Sequence, residues 1–429
     1  MPQHHRELHS LLLLGIALCL TLSAAPAKDV QRQISAIASP YRFDATRWMA
    51  KQLLPPRRGA PRPEGEAPSH YVLRYLALIA ERDALERQRD LALASNPGNA
   101  EDVDDTVAAL TQAMDALRHE QEGMRPNVER IVASQIRQAL DELGIRNPAD
   151  PWAELPLRFP PIAFRLESPP QLLVVSPRER IESIQEIMLK QDLDIVTALG
   201  IEEQVEALGL SALVTDIGGF GGTYPAFVAE TSSLRWTIET ATEEWLHQYL
   251  AFTPLGARYV LDVLGLRPDY EIARINETVA GMVSKEVADL VLLRYYDSES
   301  VPVVSTADES FDYTRFMRET RFEVDRLLDA GRVDEAEAYM EARRTELVRQ
   351  GYAIRKLNQA YFAFHGTYTY GPAAVDPIYE EIKLLRARCP DLHAFLTAAA
   401  KLKSRADLRH LLELPPPQEA RRATSRIPA

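Results

Sequence analysis

Cysteine is nearly absent from this chain of 429 residues, with only Cys19 and Cys389. That excludes a disulfide framework, and loss of the leader described below would leave one thiol. Basic residues are in deficit: 49 Lys plus Arg stand against 62 Asp plus Glu, a formal net charge of −13. No basic stripe breaks this acidity, so a nucleic acid partner is not expected. No Gly-x-Ser-x-Gly elbow occurs, and Cys389 sits between Arg388 and Pro390 near a helix end. Serine and cysteine catalysis therefore lack support. Paired-carboxylate sugar chemistry would need an aromatic platform, and none accompanies the acidic pairs. Beyond the first 25 or so residues, no stretch is apolar enough to span a bilayer.

What is present is a globular composition, 46% hydrophobic and 26% charged, long enough for two or three structural units. Leu11 to Ala25 reads LLLLGIALCLTLSAA, follows Arg6, and ends in Ala25-Pro26-Ala27 before Lys28. At about 1.5 Å per residue this run is short for a membrane span and suits the apolar region of an export signal. Residues 1–27 are thus expected to be a signal peptide or an N-terminal membrane anchor, with the rest exported and extracytoplasmic. Leu18 before Cys19 argues against a lipoprotein.

Composition divides the remainder. Residues 28–53 read as an amphipathic helix interrupted near Ser39-Pro40, with Trp48 and Met49 on its apolar face. Residues 54–69 (LPPRRGAPRPEGEAPS) form a Pro/Gly linker. Residues 70–147 read as a helical hairpin turning at Ser95-Asn96-Pro97-Gly98, its Glu- and Arg-rich faces solvated surface. Residues 148–413 form the main domain and 414–429 a polar tail. Within the main domain, Leu157–Leu166, Gln171–Ser176 and Ser211–Ile217 have strand composition. Arg178–Leu189 and Ile201–Leu208 are expected as helices. After Ser232 the expected helices are Leu234–Phe252, Ala257–Leu264, Tyr270–Tyr296, Asp312–Ala330, Val333–Tyr361, Pro377–Arg388 and a last one near Leu392–Leu402. The fold class is α+β, mostly helical, with a small sheet. Gly218-Gly219-Phe220-Gly221-Gly222 lacks the Gly-Lys-Ser/Thr ending of a phosphate loop and feeds an extended segment, so a tight hairpin or a close backbone approach to a ligand is expected.

Chemistry concentrates in Thr237–Leu250, TIETATEEWLHQYL. Glu243 and His247, at i and i+4 of a helix, project from one face about a turn apart and can grip one metal ion. Glu244 is offset around the helix, where a carboxylate can reach a metal-bound water. Alone this pattern is also that of an ordinary solvated face. A second carboxylate, Glu277 in Ile275-Asn276-Glu277-Thr278-Val279-Ala280, interrupts an apolar helix stripe, and turns at Pro254-Leu255-Gly256 and Gly265–Pro268 let the two helices meet. A buried carboxylate needs a partner; a metal supplies one, and Arg274 at i−3 is the alternative.

Glu243-Glu244-Trp245-Leu246-His247 followed by Asn-Glu-x-x-Ala resembles the His-Glu-x-x-His and Asn-Glu-x-x-Ala helices of gluzincin zinc metallopeptidases, the thermolysin-like and aminopeptidase-like group. With LVVSPRER (173–180), LVTDIGGFGGTYP (213–225) and NQAYFAFHGTY (358–368), the chain is similar over about residues 155–400 to bacterial gluzincin-like proteins. The resemblance implies a zincin-like domain, one Zn2+ held by Glu243, His247 and Glu277, and Glu244 as general base. Glu243 stands where the family has histidine; a carboxylate binds zinc at about 2.0–2.2 Å, so the set is workable but a weaker Lewis acid. Tyr361, His365 and Tyr368 are the expected oxyanion donors. Thr223-Tyr224-Pro225-Ala226 is the expected strand edge for a peptide or protein substrate. The implied activity is peptide-bond hydrolysis; the alternative is a catalytically degenerate relative that binds or scaffolds in the cell envelope.

Overall fold

The computed structural model describes residues 29–52, 59–95, 100–148, 158–191, 193–263, 266–267, 269–296, 311–352, 354–367 and 377–413. The expected leader, the expected hairpin turn after Ser95 and the expected polar tail lie outside the described residues. No helix among the described residues is long and apolar enough to cross a membrane.

The chain opens with α1 (Asp29–Ala38), a single turn at Ser39–Tyr41, and α2 (Ala45–Gln52), so the interruption falls at Pro40 as expected. Then come α3 (Pro68–Ser95) and α4 (Ala100–Glu142), two long helices packed together. Their apolar stripes, Tyr71, Tyr75 and Ile79 on one and Val128, Val132 and Ile136 on the other, join the largest core. That core also contains the helices that carry the candidate ligands, so the hairpin packs against the main body.

Two small sheets follow. The first has order β3-β2-β4, all antiparallel, from β2 (Gln171–Pro177), β3 (Gln185–Leu189) and β4 (Leu210–Thr215). Alternation sorts its side chains. Leu173, Val175, Ile187, Leu189 and Val214 pack under α1 and under α5 (Ile195–Glu206). Leu172, Val174 and Leu213 face the other side. The second sheet, β1-β6-β5, joins β1 (Phe164–Leu166) in parallel to β6 (Ala226–Val228), with β5 (Gly219–Phe220) antiparallel on the outside.

The helical remainder is α6 (Leu234–Leu250), α7 (Pro254–Val263), α8 (Tyr270–Tyr295), α9 (Tyr313–Asp329), α10 (Val333–Arg349), α11 (Gln359–Thr367), α12 (Pro377–Arg388), α13 (Leu392–Ala399) and α14 (Arg405–Leu411). Side-chain caps set several starts: Ser233 accepts from Trp236 N, Asp269 from Ile272 N and Asp312 from Arg315 N. The mostly helical α+β class holds.

Three expectations are corrected. Residues 178–189 do not form a helix. The Ser176 hydroxyl bonds Arg180 O and Glu182 N, turning the chain so that Gln185–Leu189 pairs with β2 and buries Ile187 and Leu189 on one face. Val333–Tyr361 is not one helix. Gly351 takes φ +86° after Arg349, a left-handed stop that suits glycine, and Asn358 accepts from Tyr361 N to start α11. The strand expected at Leu157–Leu166 is confined, within the described part, to Phe164–Leu166, because Pro160 and Pro161 have no N–H for a ladder.

Candidate metal centre

Helices α6 and α8 pack side by side through Ile238, Ala241, Leu246, Ile275 and Val279. Trp245 is buried and donates its indole N–H to Pro160 O at 2.8 Å, fixing the rotation of α6. This leaves Glu243, Glu244 and His247 partly buried on the side that meets Glu277, which is 6% exposed. Among the described residues, Glu243, His247 and Glu277 offer ligand atoms that all lie within 4.8 Å of one another.

Hydrogen bonds orient His247 and Glu277. His247 Nδ1 lies 2.8 Å from Asn276 Oδ1. A carbonyl oxygen only accepts, so Nδ1 carries the proton and Nε2 is turned toward the cluster, 3.5 Å from Glu277 Oε2. The Tyr259 hydroxyl, from α7, donates to Glu277 Oε1 at 2.9 Å, and its ring lies 5.8 Å from that of His247. The partners of Glu277 are thus His247 and Tyr259, while Arg274 lies over the ring of Tyr270.

Glu244 sits against the glycine run. A Cβ on Gly219 would collide with Glu244 Oε1, and one on Gly221 would come within 2.7 Å of the Glu244 carbonyl oxygen. The Gly221 N–H donates to the Glu244 carboxylate. Gln248, one turn on, donates to Thr223 O at 2.7 Å and to Gly221 O at 3.3 Å. Glycine is needed here so that backbone can close over a carboxylate.

The electrostatics follow from carboxylates crowded out of water. Burial opposes a charged imidazole, but Glu277, Glu244 and Glu243 outweigh it and raise His247 to about 10. Burial, with Glu243 and Glu277 adding repulsion, lifts Glu244 to about 8 despite His247 and the Gly221 N–H. Burial works against Glu277 too, but His247 and Tyr259 hold it below the ordinary carboxylate range. Without an ion, the cluster retains a proton on His247 between acidic groups. No family model, curated protein or solved structure matches the chain. The fit to a metal therefore rests on the donor set itself: two carboxylates and one imidazole, with His247 and Glu277 oriented by Asn276 and Tyr259, at a point that already selects positive charge.

The other expected residues fare differently. His365, on α11, packs on Tyr361 with ring centroids 4.2 Å apart and on Phe364, and it does not belong to the ligand group. Burial alone pushes it down to about 4, so it is neutral at pH 7. The Tyr361 hydroxyl is paired with that of Tyr313 at 3.3 Å. Tyr368 lies outside the described residues. The phenol at the centre is Tyr259, which sequence reasoning passed over; its one signal was a tyrosine on the short helix joining the two ligand helices. Asn276 was visible as part of the motif but carried no assigned role. Thr223–Ala226 is not an edge, because Ala226 begins the central strand β6 and pairs with Phe164. The edge on the α6 side is β5, next to Glu244.

Proposed function

We propose that this chain is an exported, divalent-metal-dependent peptidase. The single observation that carries the reading is the convergence of Glu243, His247 and Glu277 at one point, with Glu244 held beside it. The ion is proposed to be zinc, on the resemblance of the two helices to gluzincin peptidases. When bound, it supplies Lewis acidity to a water and to the scissile carbonyl.

The chain's own groups then divide the work. Asn276 keeps the His247 proton on Nδ1, so that Nε2 offers a lone pair. Tyr259 engages Glu277 Oε1 and leaves Oε2 as the ligand atom. Glu244 takes a proton from the attacking water and returns it to the leaving amine. Its rise to about 8 shows how strongly the metal-free site resists a further negative charge. A dication at its side favours the carboxylate form needed for a base. The outer side of β5 offers backbone groups on which an extended peptide can add as a strand.

A degenerate binding protein is the second reading, favoured by Glu243 at the position where the peptidases have histidine. Glu244→Gln separates the two. It removes the base while preserving size and the Gly221 contact, and cleavage of a peptide library is expected to fall by about 10²–10⁴-fold. Equal cleavage by variant and wild type would overturn the mechanism, and no cleavage by either would favour the binding protein.

A further inference from the structure

We propose that Glu243 sets the metal preference of this centre, making it discriminate less sharply for zinc over manganese than a two-imidazole site on the same helices would. The inference rests on the metal-centre reading and deepens it. Imidazole and thiolate donors favour zinc, whereas carboxylate oxygens suit harder ions such as manganese. The three ligand positions here comprise two carboxylates, one imidazole and no thiol. Tyr259 engages Glu277 Oε1 and Asn276 orients the imidazole through Nδ1, while Glu243 is the ligand position where a two-imidazole site would carry its second histidine. Its place one turn before His247 on α6 means that a histidine there would project to the same point. Zinc still binds more tightly than manganese in absolute terms, as the general order of divalent affinities requires. What Glu243 changes is the margin.

The test is a competition on the full chain, dialysed against zinc and manganese together, with bound metals counted by mass spectrometry and manganese also by electron paramagnetic resonance. Glu243→His is expected to raise the zinc-to-manganese affinity ratio by on the order of ten-fold or more. Glu243→Gln keeps the shape and one oxygen but loses the charge. It is expected to weaken manganese more than zinc, and it serves if the histidine variant does not fold. Wild type that binds both metals, with a ratio unchanged in the folded variants, would overturn the proposal and leave the metal centre standing. Wild type that binds neither metal at this point would overturn the metal-centre reading itself.

Discussion

Two histidines, each on a helix and each partly buried, end at opposite extremes. His247 on α6 is raised to about 10, while His365 on α11 is lowered to about 4. Burial pushes both in the same direction, toward the neutral ring. The difference lies in the neighbours: three carboxylates and an amide oxygen around His247, aromatic rings around His365. A residue type in a motif is therefore not yet chemistry. What makes His247 a ligand candidate is that the surrounding charge demands a cation, and nothing around His365 does.

The comparison breaks most completely at Glu277. Glu277→Gln removes the largest influence raising His247. The imidazole is expected to titrate about 1–3 pH units lower, measured by nuclear magnetic resonance of the metal-free protein. Stoichiometric metal is expected to be lost as well. A His247 that titrates unchanged would mean that the pair is not formed.

Asn276→Ala is the next largest. It leaves all three ligands in place but frees the ring to rotate and exchange tautomers, so metal affinity is expected to drop about 10–100-fold. The same substitution should leave His365 titrating as before.

His365→Phe is the smallest, and it sharpens the contrast through pH. A histidine raised in the folded state stabilises fully below its unfolded value of 6.5, and His247 loses that contribution as pH rises through about 10. Glu244, raised from 4.5 to about 8, loses stability in the same direction but earlier, as pH rises from 4.5 through about 8. His365 has the other sign: its contribution is present above 6.5 and is lost as pH falls through about 4. Thermal melts of the metal-free variant should therefore show a shallower acid limb, an unchanged alkaline limb, and a change within about 1.5 kcal/mol at pH 7. An altered alkaline limb would place His365 in the metal cluster.

Much of this arrangement was legible in the sequence because it is local. The i, i+4 spacing of Glu243 and His247 and the lone carboxylate in the apolar stripe of α8 are properties of single helices. What escaped depends on contacts between distant segments. Gln185–Leu189 is a strand because β2 lies beside it. The role of the glycine run becomes apparent only once α6 packs under it, since Gly219 and Gly221 answer to Glu244. Tyr259 reaches Glu277 through the bend at Pro254, and no pattern along the chain aims it there. Tyr361 and His365 were chosen by composition, whereas the fold gives them to an aromatic cluster.

The most direct test of the central claim is anomalous diffraction from crystals of the protein grown with zinc or manganese. The account predicts one peak per chain, bounded by a Glu243 oxygen, His247 Nε2 and Glu277 Oε2, at bond lengths of about 2.0–2.2 Å for zinc. A metal bound elsewhere, or no peak with these three side chains well ordered, would contradict it.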